Sequence, residues 1–256
     1  MKSIREMFQW YRPNTEAYAS GRPGYPPEVN DWLRDTLLIK PGSVVVDLGA
    51  GTGKFTSRLV DLKAKVVAVE PLADMRSAFK SRWPGIDVIE GRAEEIPLLA
   101  SSVDAVVCAQ AFHLFANEEA MKEIHRILKP GGRLGLIWNL RDTSVAWVKA
   151  LADIVTEQAG EHPRYYSGEW RKALSYHKFS PINEKHFRYV HSGAPEDVIV
   201  NRVRSISFIN GLPAEQQAPI FERIRQLVAT HPDLAGRETV ELPYDTAAFH
   251  TVKILP

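Results

Sequence analysis

A chain of 256 residues with 45% hydrophobic and 25% charged side chains can bury a sizeable core, as one large α/β domain or two small ones, and that balance excludes disordered and membrane-embedded classes. Its 32 basic residues against 31 acidic ones leave a formal charge of +1, too little to draw in nucleic acid or an anionic bilayer, so the expected partner is a small, roughly neutral molecule. The single cysteine, Cys108, rules out an internal disulfide or a multi-cysteine zinc site and suits a reducing, cytoplasmic location for a monomer or homodimer.

In chain order, the first pattern is EAYASGRPGYPPEV, where Pro23, Pro26 and Pro27 forbid a continuous helix and make a stiff loop carrying Tyr18, Arg22 and Tyr25. EVNDWLRDTLLI follows, and its spacing puts Val29, Trp32, Leu33, Thr36 and Leu37 on one helix face before Pro41 and Gly42 turn the chain. Val44, Val45 and Val46 are consecutive and β-branched, which predicts a strand covered on both faces. Asp47 ends that run, and Gly49, Gly51 and Gly53 alternate after it in a loop that lets a ligand lie against the main chain. A helix is expected from about Gly53, its first N–H groups facing the loop. Lys54 stands where a dinucleotide fingerprint has its third glycine, and the glycines are too closely spaced for a nucleotide-binding P-loop. The next strand, KVVAVE, closes on Glu70, about 20 residues beyond the loop, where a carboxylate can accept both hydroxyls of a ribose.

Strand and helix then alternate through ADMRSAFKSRW, IDVIEG and VDAVVCAQ, the order of a doubly wound parallel sheet whose ligands bind at the carboxyl ends of the strands. The segment NEEAMKEIHRILKPGG reads as a helix capped by Asn117, acidic at its start and basic towards its end, with Lys129 to Gly132 as a stop and a turn into RLGLIWNL. Residues Thr143 to Ala159 read as a helix, and the aromatic stretch after it as a substrate cap. The remainder reads strand, helix, helix, strand, with Arg202 and Arg204 as solvated surface charges. The resulting partition is 1–40 as lid and first helix, 41–142 as cofactor core, 143–181 as cap and 182–256 completing the sheet, all in a single domain.

The motif D-x-G-x-G-x-G from Asp47, followed by Glu70, resembles the class I methyltransferases that depend on S-adenosylmethionine, and the order of segments through Gly132 extends the likeness over about half the chain. The resemblance implies a Rossmann-like, seven-stranded, mostly parallel sheet with its last strand antiparallel and a helical cap insertion. It implies methyl transfer to a small-molecule acceptor by in-line displacement, leaving S-adenosylhomocysteine. By the same resemblance, the cofactor lies on Asp47, Gly49, Ala50, Gly51, Gly53, Glu70, Pro71, Met75, Ala93, Glu94 and Gln110, with Arg22 on its carboxylate and Tyr18 beside it. Arg92 stands where the family often has an acid, so the adenine amino group falls to a backbone carbonyl or Glu94. His113 is the ionisable side chain after the fourth strand that could act as a base, and Trp138, Asn139 and Tyr166 join it as candidate acceptor contacts. The lid and the tail LPYDTAAFHTVK are similar to the UbiE and trans-aconitate carboxyl-methylating branch. The rival functions are a nicotinamide-dependent oxidoreductase and a non-catalytic module that binds the cofactor or its demethylated product.

Overall fold

The computed structural model describes residues 21–160, 162 and 164–254; Tyr18 lies outside them. The valine run forms β1 (Val44–Leu48), buried from Val45 onward. It is flanked in parallel by β2 (Lys65–Val69) and β4 (Val103–Ala109). Beyond β2 lies β3 (Asp87–Ile89), and beyond β4 lies β5 (Leu128–Arg141), both also parallel. With β6 (Asn183–Gly193) and β7 (Val240–Val252), the sheet has seven strands in the order β3-β2-β1-β4-β5-β7-β6. Lys253 N donates to Gly132 O at 2.9 Å and Asp142 N to Pro243 O at 3.1 Å, so β7 descends as β5 ascends and runs antiparallel to it. The chain winds from β1 to one side through β2 and β3, then crosses to β4 on the other. That reversal opens a crevice at the carboxyl end of β1, where the glycine loop begins.

Helix α1 (Val29–Asp35) buries Val29, Trp32 and Leu33, joined by Leu37 and Ile39, against Val45, Ala105, Val107 and Ile137. Each such fully buried aliphatic side chain contributes roughly 1.5–3 kcal/mol. Thr36, expected on the same face, is half-buried. The glycine loop leads into α2 (Thr56–Asp61), and α3 (Ala73–Arg82) follows β2. Asn117 caps α4 (Glu118–Ile127) by accepting from Ala120 N at 2.8 Å. The stop signal at Lys129 to Gly132 is not the turn before β5 that the sequence suggests. Leu128 already pairs with Val103, and the register then jumps to Ala105 opposite Arg133, so the four residues bulge out within β5.

The chain divides into two compact units, and neither follows the linear partition expected from sequence. The first comprises residues 25–139, 163–187 and 246–256; the second comprises residues up to 24, 140–162 and 188–245. The expected cap, 143–181, is shared between them because its two parts bury different faces. In the second unit, α5 (Ala146–Thr156) places Trp147, Val148 and Leu151 in a core with Ile199, Val203, Leu242 and α6 (Ala214–Thr230), through Ile220, Phe221 and Ile224. In the first, Trp170 packs at 4.6 Å from Trp138 and 5.1 Å from Phe249. Among the described residues no helix is long and apolar enough to cross a membrane.

Candidate cofactor site

The site is assembled in the first unit where the strand ladders run out. Gly49 N donates to Val69 O at 2.8 Å, Glu70 N to Ile89 O at 3.1 Å and Gln110 N to Ile137 O at 2.8 Å, so each post-strand residue is pinned to the neighbouring strand. The loop glycines are left-handed, with φ of 71° at Gly49, 57° at Gly51 and 75° at Gly53. A Cβ at Gly49 would lie 2.8 Å from Ala111 Cβ, and one at Gly53 would lie 2.6 Å from Trp83 Cδ1. Trp83 in turn donates its Nε1 proton to Gly53 O at 2.9 Å, which locks the loop's exit against α3. Gly53→Ala is therefore expected to cost about 1–2 kcal/mol of stability through strain and a rigid clash, measurable by urea unfolding.

Two buried carboxylates bracket this loop. Asp47, 1% exposed, accepts the Thr56 hydroxyl on Oδ2 at 2.6 Å, while its Oδ1 is buried without a partner. Burial, opposed by the Thr56 hydrogen bond and reinforced by nearby Glu70, pushes its pKa up to about 7. Glu70 accepts Gly51 N on Oε2 and Leu72 N on Oε1, both at 3.0 Å. Burial raises its pKa, and these two amides and Arg76 pull it back. A carboxylate has about four lone-pair sites, so Glu70 is oriented by the loop and still has acceptor capacity. Arg76, which sequence reasoning passed over, fixes the β2–α3 turn by donating to Glu70 O at 3.0 Å, Pro71 O at 2.7 Å and Glu90 Oε2 at 2.7 Å. Its signal was its position five residues past the Glu-Pro pair.

The other expected contacts fall around these. Ala50 N points back to Val69 O at 3.3 Å, Met75 is 1% exposed in α3 and Ala93 is 5% exposed. Glu94 accepts from Asn117 Nδ2 at 2.9 Å, tying the segment after β3 to the cap of α4. Gln110 has φ of 59°, a left-handed non-glycine residue of the kind that clusters at binding sites. Trp138, only 1% exposed, donates Nε1–H to His113 Nδ1 at 3.1 Å and packs among Tyr165, Trp170 and Phe249. Asn139 accepts from Thr246 Oγ1 at 2.7 Å. Tyr166 lies at the rim of this cluster: it is 64% exposed and meets Tyr165 edge-on at 5.5 Å, while Tyr165 packs on Trp138 at 5.2 Å. Arg22 belongs to the second unit, where its guanidinium bonds to Ser205.

A methyltransferase domain model matches residues 46–136, from β1 through β5. An uncharacterised methyltransferase-like protein of Schizosaccharomyces pombe is 36% identical over 244 residues, covering 95% of each chain. The chain belongs to the class I S-adenosylmethionine-dependent methyltransferases. Among solved structures, a proposed type II methyltransferase from Anaeromyxobacter dehalogenans shares the fold with a TM-score of 0.63 and 22% identity, over 92% of this chain and 99% of its own. The [4+2]-cyclase SpnF shares it with a TM-score of 0.57 and 16% identity, over 98% and 96%. The fold of this family therefore occurs in a protein named for a different reaction. The residues present fit the family's cofactor. An orphaned buried carboxylate oxygen at Asp47 suits a cationic ligand group, Glu70 has lone pairs for hydroxyls, and the glycine loop supplies a surface without Cβ atoms.

Proposed function

We propose that the protein transfers a methyl group from S-adenosylmethionine to a small-molecule acceptor. The observation that carries this reading is the pair of oriented, buried carboxylates on either side of the glycine loop, Asp47 with an unpartnered Oδ1 and Glu70 held by two backbone amides. The cofactor, when bound, supplies a methyl on a positively charged sulfur, already activated for in-line displacement. The chain's task is to fix the nucleophile in line and keep water away, a contribution that can reach about 7–11 kcal/mol.

His113 has a narrower role in this reading than that of a base. Trp138 Nε1 can only donate, so Nδ1 of His113 must accept, and the neutral ring then carries its proton on Nε2. In that tautomer Nε2 gives a hydrogen bond, and the ring's one basic lone pair, on Nδ1, is occupied by the Trp138 N–H, so taking a proton would break that bond. His113 would orient an acceptor whose attacking atom is already ionised or sheds its proton elsewhere. The acceptor is a small molecule, the protein acts in the cytoplasm, and it works as a monomer or homodimer.

Thermal melts in the presence of S-adenosylhomocysteine and NAD test the reading. The first should raise the melting temperature and the second should not; the reverse pattern would make the chain an oxidoreductase. Transfer of labelled methyl to a panel of small acids and phenols then separates an enzyme from a module that only binds the cofactor. Binding without transfer to any of them would favour the module.

A further inference from the structure

Arg202, expected from sequence to be a solvated surface charge, is only 8% exposed and sits in the second unit just after the helical turn Glu196–Asn201. Its Nη1 reaches Ser205 Oγ at 3.5 Å, and its Nε is buried without a partner. The same Oγ accepts Arg22 Nε at 3.1 Å, while Arg22 Nη2 donates to Ser205 O at 3.0 Å. Because the Ser205 hydroxyl gives its own proton to Arg202 O at 2.7 Å, its lone pairs face the two guanidinium groups and draw them together. The chain is built to allow this approach. A Cβ on Gly21 would lie 2.4 Å from the carbonyl carbon of Asn201, so only glycine lets Arg22 enter against that backbone.

A third guanidinium joins from the sheet. Asp142 N bonds to Pro243 O at 3.1 Å, which sets Arg141 of β5 beside Tyr244 of β7. Arg141 Nε and Tyr244 Oη are both buried and lack hydrogen-bond partners, and both groups act electrostatically on Arg202. Among the described residues no carboxylate pairs with Arg141 or Arg202. Burial first, then the charge of Arg22, push the Arg202 pKa down to about 10, with Tyr244 pulling it back and Arg141 adding a smaller push. Arg22 and Arg141 are half-buried and Arg202 is buried beside them, and a buried cation next to like charges is unfavourable unless an anion completes it. Planar guanidinium forks are the groups that recognise carboxylate and phosphate by paired hydrogen bonds.

We propose that Arg22, Arg141, Arg202 and Tyr244 form an oxyanion site that binds the carboxylate or phosphate of a small molecule. The site is made by residues of the second unit, and its test reads anion binding without turnover, so it stands or falls apart from the methyl-transfer reading.

Calorimetry on the full chain at constant ionic strength, with inorganic phosphate and with succinate as probes, distinguishes the two sources of the anion. At least one should bind, and the stronger identifies the group. Arg202→Met should weaken that probe tenfold or more, and Arg202→Lys should recover part of the loss. Without any anion, Arg202→Met should melt at or above the wild-type temperature, since a buried, unpartnered charge has been removed. Should that variant misfold, Tyr244→Phe, which deletes one hydroxyl, should still weaken the probe about threefold or more. Failure of both probes to bind the wild type, or equal binding by wild type and variants, would overturn the proposal. So would a loss confined to S-adenosylhomocysteine, because the cluster would then serve the cofactor's own carboxylate.

Discussion

Titration of Glu70→Ala with S-adenosylhomocysteine is expected to show affinity reduced by about a hundredfold or more. Hydrogen bonds to an ionised acceptor contribute about 1.5–3 kcal/mol each, and a ribose offers two hydroxyls to one carboxylate. The truncation also strands Gly51 N and Leu72 N, which Glu70 now satisfies at 3.0 Å each. The loop itself should therefore loosen. Glu70→Gln is expected to be nearly as damaging, because an amide has a single acceptor oxygen and would turn its NH2 group towards one of those two backbone donors. A Glu70→Ala protein that bound S-adenosylhomocysteine like the wild type would remove the carboxylate from the site and the cofactor from the crevice.

The strands and the glycine loop were legible because their signals are local. Three adjacent valines could only be a doubly covered strand, and the spacing from Asp47 to Glu70 is set by one helix and one strand, so both carboxylates could be placed without tertiary knowledge. What sequence could not show depends on contacts distant along the chain. Arg202 and Arg204 are two residues apart and read alike, yet Arg202 is buried and reaches Ser205 Oγ whereas Arg204 reaches Asn201 Oδ1 at 2.9 Å and lies over the Phe221 ring. Nor does a spacing rule tell Tyr165 from Tyr166: which ring turns inward is decided by Trp138 and Trp170 across the fold. His113 was identifiable as ionisable, but its tautomer is fixed by an indole N–H 25 positions later. The bulge at Lys129 to Gly132 was hidden for the same reason, since pairing of Leu128 with Val103 is a property of two strands together.

Asp47 carries the second large effect, and its sign follows from its burial. In the unfolded chain its pKa is the ordinary 3.8; in the fold it is about 7. Between those values the native state holds a proton that the unfolded state has lost, so unliganded stability should fall as pH rises from about 4 to about 7 and then level off. The full difference is on the order of 4 kcal/mol for a group this deeply buried. Ligand binding should run the other way. A cationic group brought beside the unpartnered Oδ1 favours the ionised carboxylate, so affinity should climb with pH until Asp47 is ionised in the free protein. At one decade per pH unit, that is up to about a hundredfold between pH 5 and pH 7 for S-adenosylhomocysteine, flattening above. Asp47→Asn should bind weakly with little slope over this range, and its unliganded stability should no longer decline across it. Calorimetry at four pH values on both proteins decides the matter: parallel pH profiles would mean that Asp47 remains protonated beside the ligand and serves only to hold Thr56 and the start of α2.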